Sequence, residues 1–216
     1  MLCWQLQNVR KRWGNKMIAI VNYGMGNLRS VQKAFEYVGA RAAIVDNPED
    51  IKNAERIVLP GVGAFGDAMS NLKTAELIDP IVKAISDGRP FLGICLGLQL
   101  MFAESEEMGQ HRGLDILPGV VKRFPEGERV PQIGWNEVRV QRETPLLAGV
   151  PDGSYFYFVH SFYVAPACNE DVVGITDYGI DYVSIAGRGR AFGVQFHPEK
   201  SQDAGLKILK NFAEIV

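Results

Sequence analysis

The stretch Pro90-Phe91-Leu92-Gly93-Ile94-Cys95-Leu96-Gly97-Leu98-Gln99-Leu100-Met101-Phe102 decides how the chain is read. Pro90 to Ile94 is an apolar run of strand length that leads straight into Cys95, and Leu98 to Phe102 fits only helix or more strand. Gly93 and Gly97 argue for a turn between them. A nucleophile on a sharp strand-to-helix bend needs small residues two positions away on each side, where strained backbone packs closely on adjacent elements. This is the cysteine counterpart of the Gly-x-Ser-x-Gly elbow. A thiol there also faces the unpaired N–H groups of a helix start, whose partial positive charge favours the thiolate. The commonest fate of a free cysteine is that of a small buried hydrophobe. Glycines on both flanks and a strand ending one residue earlier turn the reading toward a nucleophile.

On the N-terminal side of this elbow, β-branched apolar runs alternate with segments of helical period, the pattern of an α/β domain with a parallel sheet. Met17 to Val21 is a candidate buried strand, followed by a turn over Asn22 to Asn27 and a helix from about Leu28 to Val38. Further strands fit Arg41 to Val45 and Arg56 to Leu59, with helices across Ala64 to Leu72 and Leu77 to Ser86. From about Pro118 onward the runs shorten and Gly and Pro become frequent, as antiparallel strands and loops require. Tyr155 to Val159 and Ala191 to Phe196 are the clearest late strands, and a helix over Asp203 to Glu214 places Leu206, Ile208, Leu209 and Phe212 at helical spacing. The expected fold is α/β, with a central, mostly parallel sheet flanked by helices and additional antiparallel strands in the C-terminal half.

The chain has 216 residues and is 47% hydrophobic, enough to bury roughly 70% of the surface exposed when unfolded and to fill one core. No repeat, low-complexity tract or long linker marks a boundary, so residues 17–216 read as a single domain. Lys plus Arg number 23 against 25 Asp plus Glu, with the signs mixed along the chain, which argues against a nucleic-acid partner. Three separated cysteines, Cys3, Cys95 and Cys168, offer neither a disulfide framework nor paired metal ligands. A reducing compartment, the cytoplasm, fits best. No apolar run approaches the roughly 20 residues that span a bilayer, so no membrane association is expected. Residues 1–16 carry Trp4, Arg10, Lys11, Arg12 and Trp13 without the continuous apolar stretch of a secretory signal. They read as an extension outside the core fold, with Met17 as its start; an amphipathic surface arm is the competing reading.

A thiol nucleophile requires a histidine within hydrogen-bond reach and a third group to fix its tautomer. The chain offers His111, His160 and His197. His197 follows the strand Ala191 to Phe196, and Glu199 stands two residues on, across Pro198, where extended chain would bring both side chains to one side. His111 lies in a polar stretch and reads as solvated. His160 ends an aromatic strand, either lining a pocket or serving structure. Acyl transfer places negative charge on a carbonyl oxygen, and each backbone donor aimed at it is worth ~2.7–4 kcal/mol. One such donor is the N–H of Leu96. Another is expected at Val62 or Gly63 in Pro60-Gly61-Val62-Gly63, which follows a parallel strand and so lies at the same sheet edge. Gly24-Met25-Gly26 fails as a dinucleotide fingerprint because Arg29 stands where the third glycine is needed, and no Walker sequence exists. No cofactor and no metal are expected.

Together these pieces resemble the class I, or triad, glutamine amidotransferases. More narrowly, Asn22 to Leu28, Leu59 to Phe65, Gly93 to Gln99, Ile133 to Asn136, Val159 to Tyr163 and Phe196 to Ser201 look like the glutaminase-subunit family of imidazole glycerol phosphate synthases. Six motifs in one order, from Met17 onward, carry the resemblance. Leu96 separates the chain from small thiol hydrolases with histidine after the elbow cysteine, and Phe162 stands where this family often has tyrosine. The resemblance implies glutamine as substrate, Cys95, His197 and Glu199 as catalytic triad, and Gly61, Gln99, His160, Ser161 and Phe162 on the substrate side. It further implies a heterodimer with a (β/α)8-barrel cyclase subunit, which receives the ammonia through a channel, with Asn22, Asn27, Trp135 and Tyr157 as interface candidates. Trp135 reads equally well as a core aromatic. Two alternatives stay open: a paralogous glutaminase serving a sugar-amidating synthase, and an idle scaffold.

Overall fold

In the computed structural model, residues 17–214 and 216 are described, and the expected extension over 1–16 lies outside them. In chain order the first half comprises β1 (Ile18–Val21), α1 (Leu28–Tyr37), β2 (Ala42–Val45), α2 (Pro48–Asn53), β3 (Arg56–Gly61), α3 (Phe65–Thr74), α4 (Ile78–Ser86), β4 (Phe91–Cys95) and α5 (Leu96–Leu100). The second half comprises β5 (Phe102–Ser105), β6 (His111–Arg112), β7 (Leu117–Arg123), β8 (Gln132–Val140), β9 (Ser154–His160), β10 (Phe162–Pro166), β11 (Val172–Asp177), β12 (Asp181–Arg188), β13 (Ala191–Val194) and α6 (Gln202–Glu214).

Five strands run parallel in the order β2-β1-β3-β4-β13, and the sheet then continues antiparallel through β12, β10 and β7. β1, β4 and β13 are buried at every residue, which is why they read as unbroken apolar runs rather than as alternating ones. The late strands carry a second layer of pairing, β12 with β11, β11 with β8 and β8 with β9. Each face of the sheet has its own core. One is built on Leu59, Phe65, Leu72, Phe91, Leu98 and Met101, the other on Ile20, Phe35, Leu92, Val194, Phe196 and Phe212. α1 presents Val31, Ala34 and Phe35 to the second, the i, i+3, i+4 stripe of an amphipathic helix. Among the described residues no helix is long and apolar enough to cross a membrane.

The expected α/β architecture is present, with three local differences. α2 has no counterpart in the periodicity reading because six residues are too few to show a helical repeat. Its start is nonetheless encoded, since the Asn47 side chain accepts the Asp50 N–H at 3.0 Å and Pro48 opens the first turn. The segment after Gly97, whose pattern fits helix or strand, is both: α5 stops at Leu100 and β5 begins at Phe102. His111 is a half-buried strand residue whose ring packs on Gly66 and lies 6.4 Å from that of Phe65, not a solvated loop residue.

The topology also decides what meets what. Parallel neighbours share an end, and the registers Gly61↔Cys95 and Val194↔Ile94 bring the carboxyl ends of β3, β4 and β13 to one edge.

Candidate active site

Cys95 is the bend itself, the last residue of β4 and the one before α5. Its backbone lies at φ 55° and ψ −109°, a region that costs a non-glycine residue of order 1–3 kcal/mol and persists only where surroundings enforce it. The flanking glycines supply the enforcement. A Cβ on Gly93 would stand 2.5 Å from the Gly97 carbonyl oxygen, and one on Gly97 would overlap the Leu59 carbonyl. The thiol is 6% exposed, with Val159 O at 3.9 Å and the Gln195 Nε2 at 3.7 Å.

His197 follows β13 and lines the same cavity as Cys95. Its backbone is pinned on both sides, the N–H donating to Tyr157 O at 2.9 Å and the carbonyl accepting the Ser201 hydroxyl at 2.7 Å. Glu199 Oε1 lies 2.9 Å from His197 Nδ1, with the carboxylate side chain 1% exposed. The extended-chain expectation for this pair does not hold: Pro198–Lys200 is a 3-10 turn, and that turn folds Glu199 back onto the ring. Nδ1–H donating to the carboxylate leaves Nε2 as the other ring nitrogen, which has no hydrogen-bond partner among the described residues. Burial disfavours the charged ring, but the Cys95 thiol and the Glu199 carboxylate outweigh it and raise the His197 pKa above the ordinary 6.5. The raised value favours the protonated ring.

His160 is set the other way. It is 6% exposed, Nδ1 lies 2.8 Å from Phe162 O and Nε2 3.2 Å from the Tyr182 hydroxyl. Burial, opposed by the Phe162 carbonyl and reinforced by His197, lowers its pKa to about 4. A neutral ring with Nδ1–H on a carbonyl is a wall and not a second base.

The cavity above Cys95 measures about 290 Å³, small enough for a free amino acid. Val62, Gly63, Leu96, Gln99, His160, Ser161 and Phe162 all contribute to it. Gln99, one turn past the thiol, is 5% exposed and its Nε2 donates to Phe162 O at 3.0 Å and to Gln195 Oε1 at 3.2 Å. A surface position for Gln99 is thus excluded. Gly61 stands outside the cavity wall. Implied by the resemblance to lie on the substrate side, it is the close-approach point of three segments, since an added Cβ would overlap the Tyr23 hydroxyl and stand 2.9 Å from Leu96 Cβ. Gly63 lies at φ +95°, a backbone conformation that favours glycine.

Three site residues escaped the sequence reading. Gln195 sits fully buried in Ala-Phe-Gly-Val-Gln-Phe, where a polar residue in an apolar run was the available signal. Glu107 accepts the Phe65 N–H at 2.7 Å and lines the cavity, although Glu104-Ser105-Glu106-Glu107 looks like any solvated acidic run. Tyr182 supports His160 from β12, far away in sequence.

The interface candidates do not line this cavity. Trp135 is 44% exposed and stacks edge-on with Tyr157 across β8 and β9 at 6.1 Å, so it is not a core aromatic. Asn27 is exposed, and the Asn22 side chain accepts the Gly24 N–H at 3.1 Å. Three larger surface hollows, one around the 140–152 loop, one between α2 and α4 and one around Arg56 and Arg190, are lined by no cysteine or histidine among the described residues.

Comparison with known proteins finds a family and a fold. The family model described as glutamine amidotransferase class-I matches residues 19–216. The imidazole glycerol phosphate synthase subunit HisH of Moorella thermoacetica is 54% identical over 199 residues, covering 92% of this chain and 95% of that one. The protein of the same name from Syntrophotalea carbinolica is 50% identical over 206 residues, covering 92% and 100%. A solved structure described as PurLQS from Thermotoga maritima superposes with a TM-score of 0.74 at 20% identity, covering 92% of this chain and 97% of that one, a likeness of fold.

Proposed function

The chain belongs to the class I glutamine amidotransferases, and from that premise we propose that it is the glutaminase subunit of an imidazole glycerol phosphate synthase, working in histidine biosynthesis in the cytoplasm. Residues 17–216 form its single glutaminase domain. Glutamine enters the cavity with its side-chain amide over Cys95, and the thiolate adds to the amide carbon. The oxyanion that forms is met by the N–H of Leu96 and by one from the Val62-Gly63 loop. His197 gives its proton to the departing nitrogen, ammonia leaves and a thioester remains. His197 then takes a proton from water as it attacks the thioester, and glutamate is released with the thiolate restored. Glu199 keeps the ring turned with Nε2 toward the sulfur.

The observation that carries this reading is the His197 ring, buried, held by Glu199 through Nδ1 and left with a free Nε2 in the wall that contains Cys95. Ammonia freed into neutral water would be protonated and lost as a nucleophile, so the product is used only if the subunit docks on its synthase. The partner is a (β/α)8-barrel cyclase, and Trp135, Tyr157, Asn22 and Asn27 are the contacts we assign to it. The test is glutamate release from glutamine, alone and with a barrel cyclase and its phosphoribulosyl imidazolecarboxamide nucleotide. Cys95→Ala and His197→Ala abolish it, while Cys168→Ala leaves it near normal. Full stimulated turnover by Cys95→Ala would refute the mechanism.

A further inference from the structure

The mechanism leaves one buried donor beside the nucleophile unused. Tyr23, in the turn after β1, is 5% exposed, and its hydroxyl has no hydrogen-bond partner among the described residues. The hydroxyl does not open into the substrate cavity. It lies against the backbone of Gly61, the residue in register with Cys95, so closely that no side chain fits between them. The same turn touches the next residues of the glycine segment. A Cβ on Gly63 would meet Met25 Cε at 2.5 Å, and one on Gly26 would stand 3.5 Å from Pro60 O. The turn 22–27 therefore packs against the run Pro60–Gly63 without contributing to the cavity lining. The buried phenol also senses the thiol: burial first, and the negative charge at Cys95 second, push its pKa up, which keeps it a donor.

A trans peptide points its N–H and its carbonyl in opposite directions. Turning the N–H of Val62 or Gly63 toward the oxyanion turns the attached carbonyl, that of Gly61 or Val62, away from the cavity, and the Tyr23 hydroxyl is a donor beside Gly61 that lines no part of that cavity. We infer that Tyr23 is a positioning residue for this oxyanion segment, its hydroxyl donating to the displaced carbonyl and so holding the peptide in the reactive orientation. The inference rests on the glutaminase reading above and adds to it the residue that stabilises the reactive loop. An orphan hydroxyl in the structure as it stands is the expected signature, because the bond exists only in the other arrangement. A buried donor without a partner lowers stability, so removing it does not cost the resting fold anything.

The test is Tyr23→Phe in the whole chain, measured alone and with the cyclase and its nucleotide. The expected result is a fall in kcat for glutamine hydrolysis of about 10-fold to 100-fold with KM within about twofold, the pattern of an interaction made only at the transition state. Alkylation of Cys95 by iodoacetamide, which develops no oxyanion, should keep its wild-type rate, and Tm should be unchanged or higher. Wild-type kcat in Tyr23→Phe overturns the inference while leaving the glutaminase reading intact. A fall in kcat accompanied by slower alkylation or a lower Tm makes Tyr23 a packing residue and overturns it as well. A wild-type chain that releases no glutamate under either condition removes the glutaminase reading, and this inference with it.

Discussion

Two histidines that line one cavity with the same thiol carry opposite proton preferences, and stability should record the difference. Unfolded, the His160 ring takes a proton near pH 6.5, but in the fold it resists one until about pH 4, because burial penalises the charge. Between those values the unfolded chain binds more protons than the folded one. Stability is therefore lost as pH falls through that window, by roughly 3 kcal/mol at its acid end. His160→Gln keeps a neutral polar group and removes the titration, so denaturant midpoints followed from pH 7 to pH 4 should fall less steeply in that variant than in wild type. An equally steep fall would mean that His160 does not govern acid sensitivity. His197, with its folded pKa raised, acts in the opposite sense: its contribution is complete below pH 6.5, declines as pH rises above that and is lost once pH has passed through the folded value.

The elbow shows what a single element demands of its residues. Gly97→Ala would drive a methyl group into the Leu59 carbonyl on the neighbouring strand, whereas Gly88→Ala meets nothing within 4 Å and bears only the strain of φ +78°. Gly97→Ala is expected to cost about 3 kcal/mol or more, or to prevent folding, and Gly88→Ala about 1 kcal/mol, with chemical denaturation as the measure. The demand at Gly97 is legible in the sequence alone, because the spacing Gly93-x-Cys95-x-Gly97 states the steric need directly. The pairing of His197 with Glu199 is legible in outcome but not in form, since a proline between them fits extended chain and a 3-10 turn alike. Glu107, Gln195 and Tyr182 are hidden for another reason. Each reaches the site through contacts with segments distant in sequence, Glu107 at Phe65, Gln195 at Cys95 and Tyr182 at His160, and a local pattern does not say which partner such a residue meets. Trp135 is undecided in the sequence for want of its strand's facing, which only the register with β9 supplies.

Across the whole molecule one sheet joins the first strand to the last, with a core on each face, so the described residues should melt in one step. Calorimetry would test this, and a second resolved transition would divide the chain into two units. Phe212 of α6 is fully buried, 6.2 Å from Phe35 of α1 and tilted at 56°, tying the C-terminal helix to the N-terminal one. Phe212→Ala should lower the midpoint of that single transition by about 3–5 kcal/mol in stability, without splitting it. The register that sets β13 beside β4 also fixes when the thiol becomes dangerous. A chain emerging from the ribosome displays Cys95 long before the segment 191–199 exists, and until that last parallel strand slots in, the thiol has no imidazole and no carboxylate behind it. On the glutaminase reading above, a copy in which β13 has not yet paired with β4 lacks His197 and Glu199 beside Cys95 and hydrolyses no glutamine.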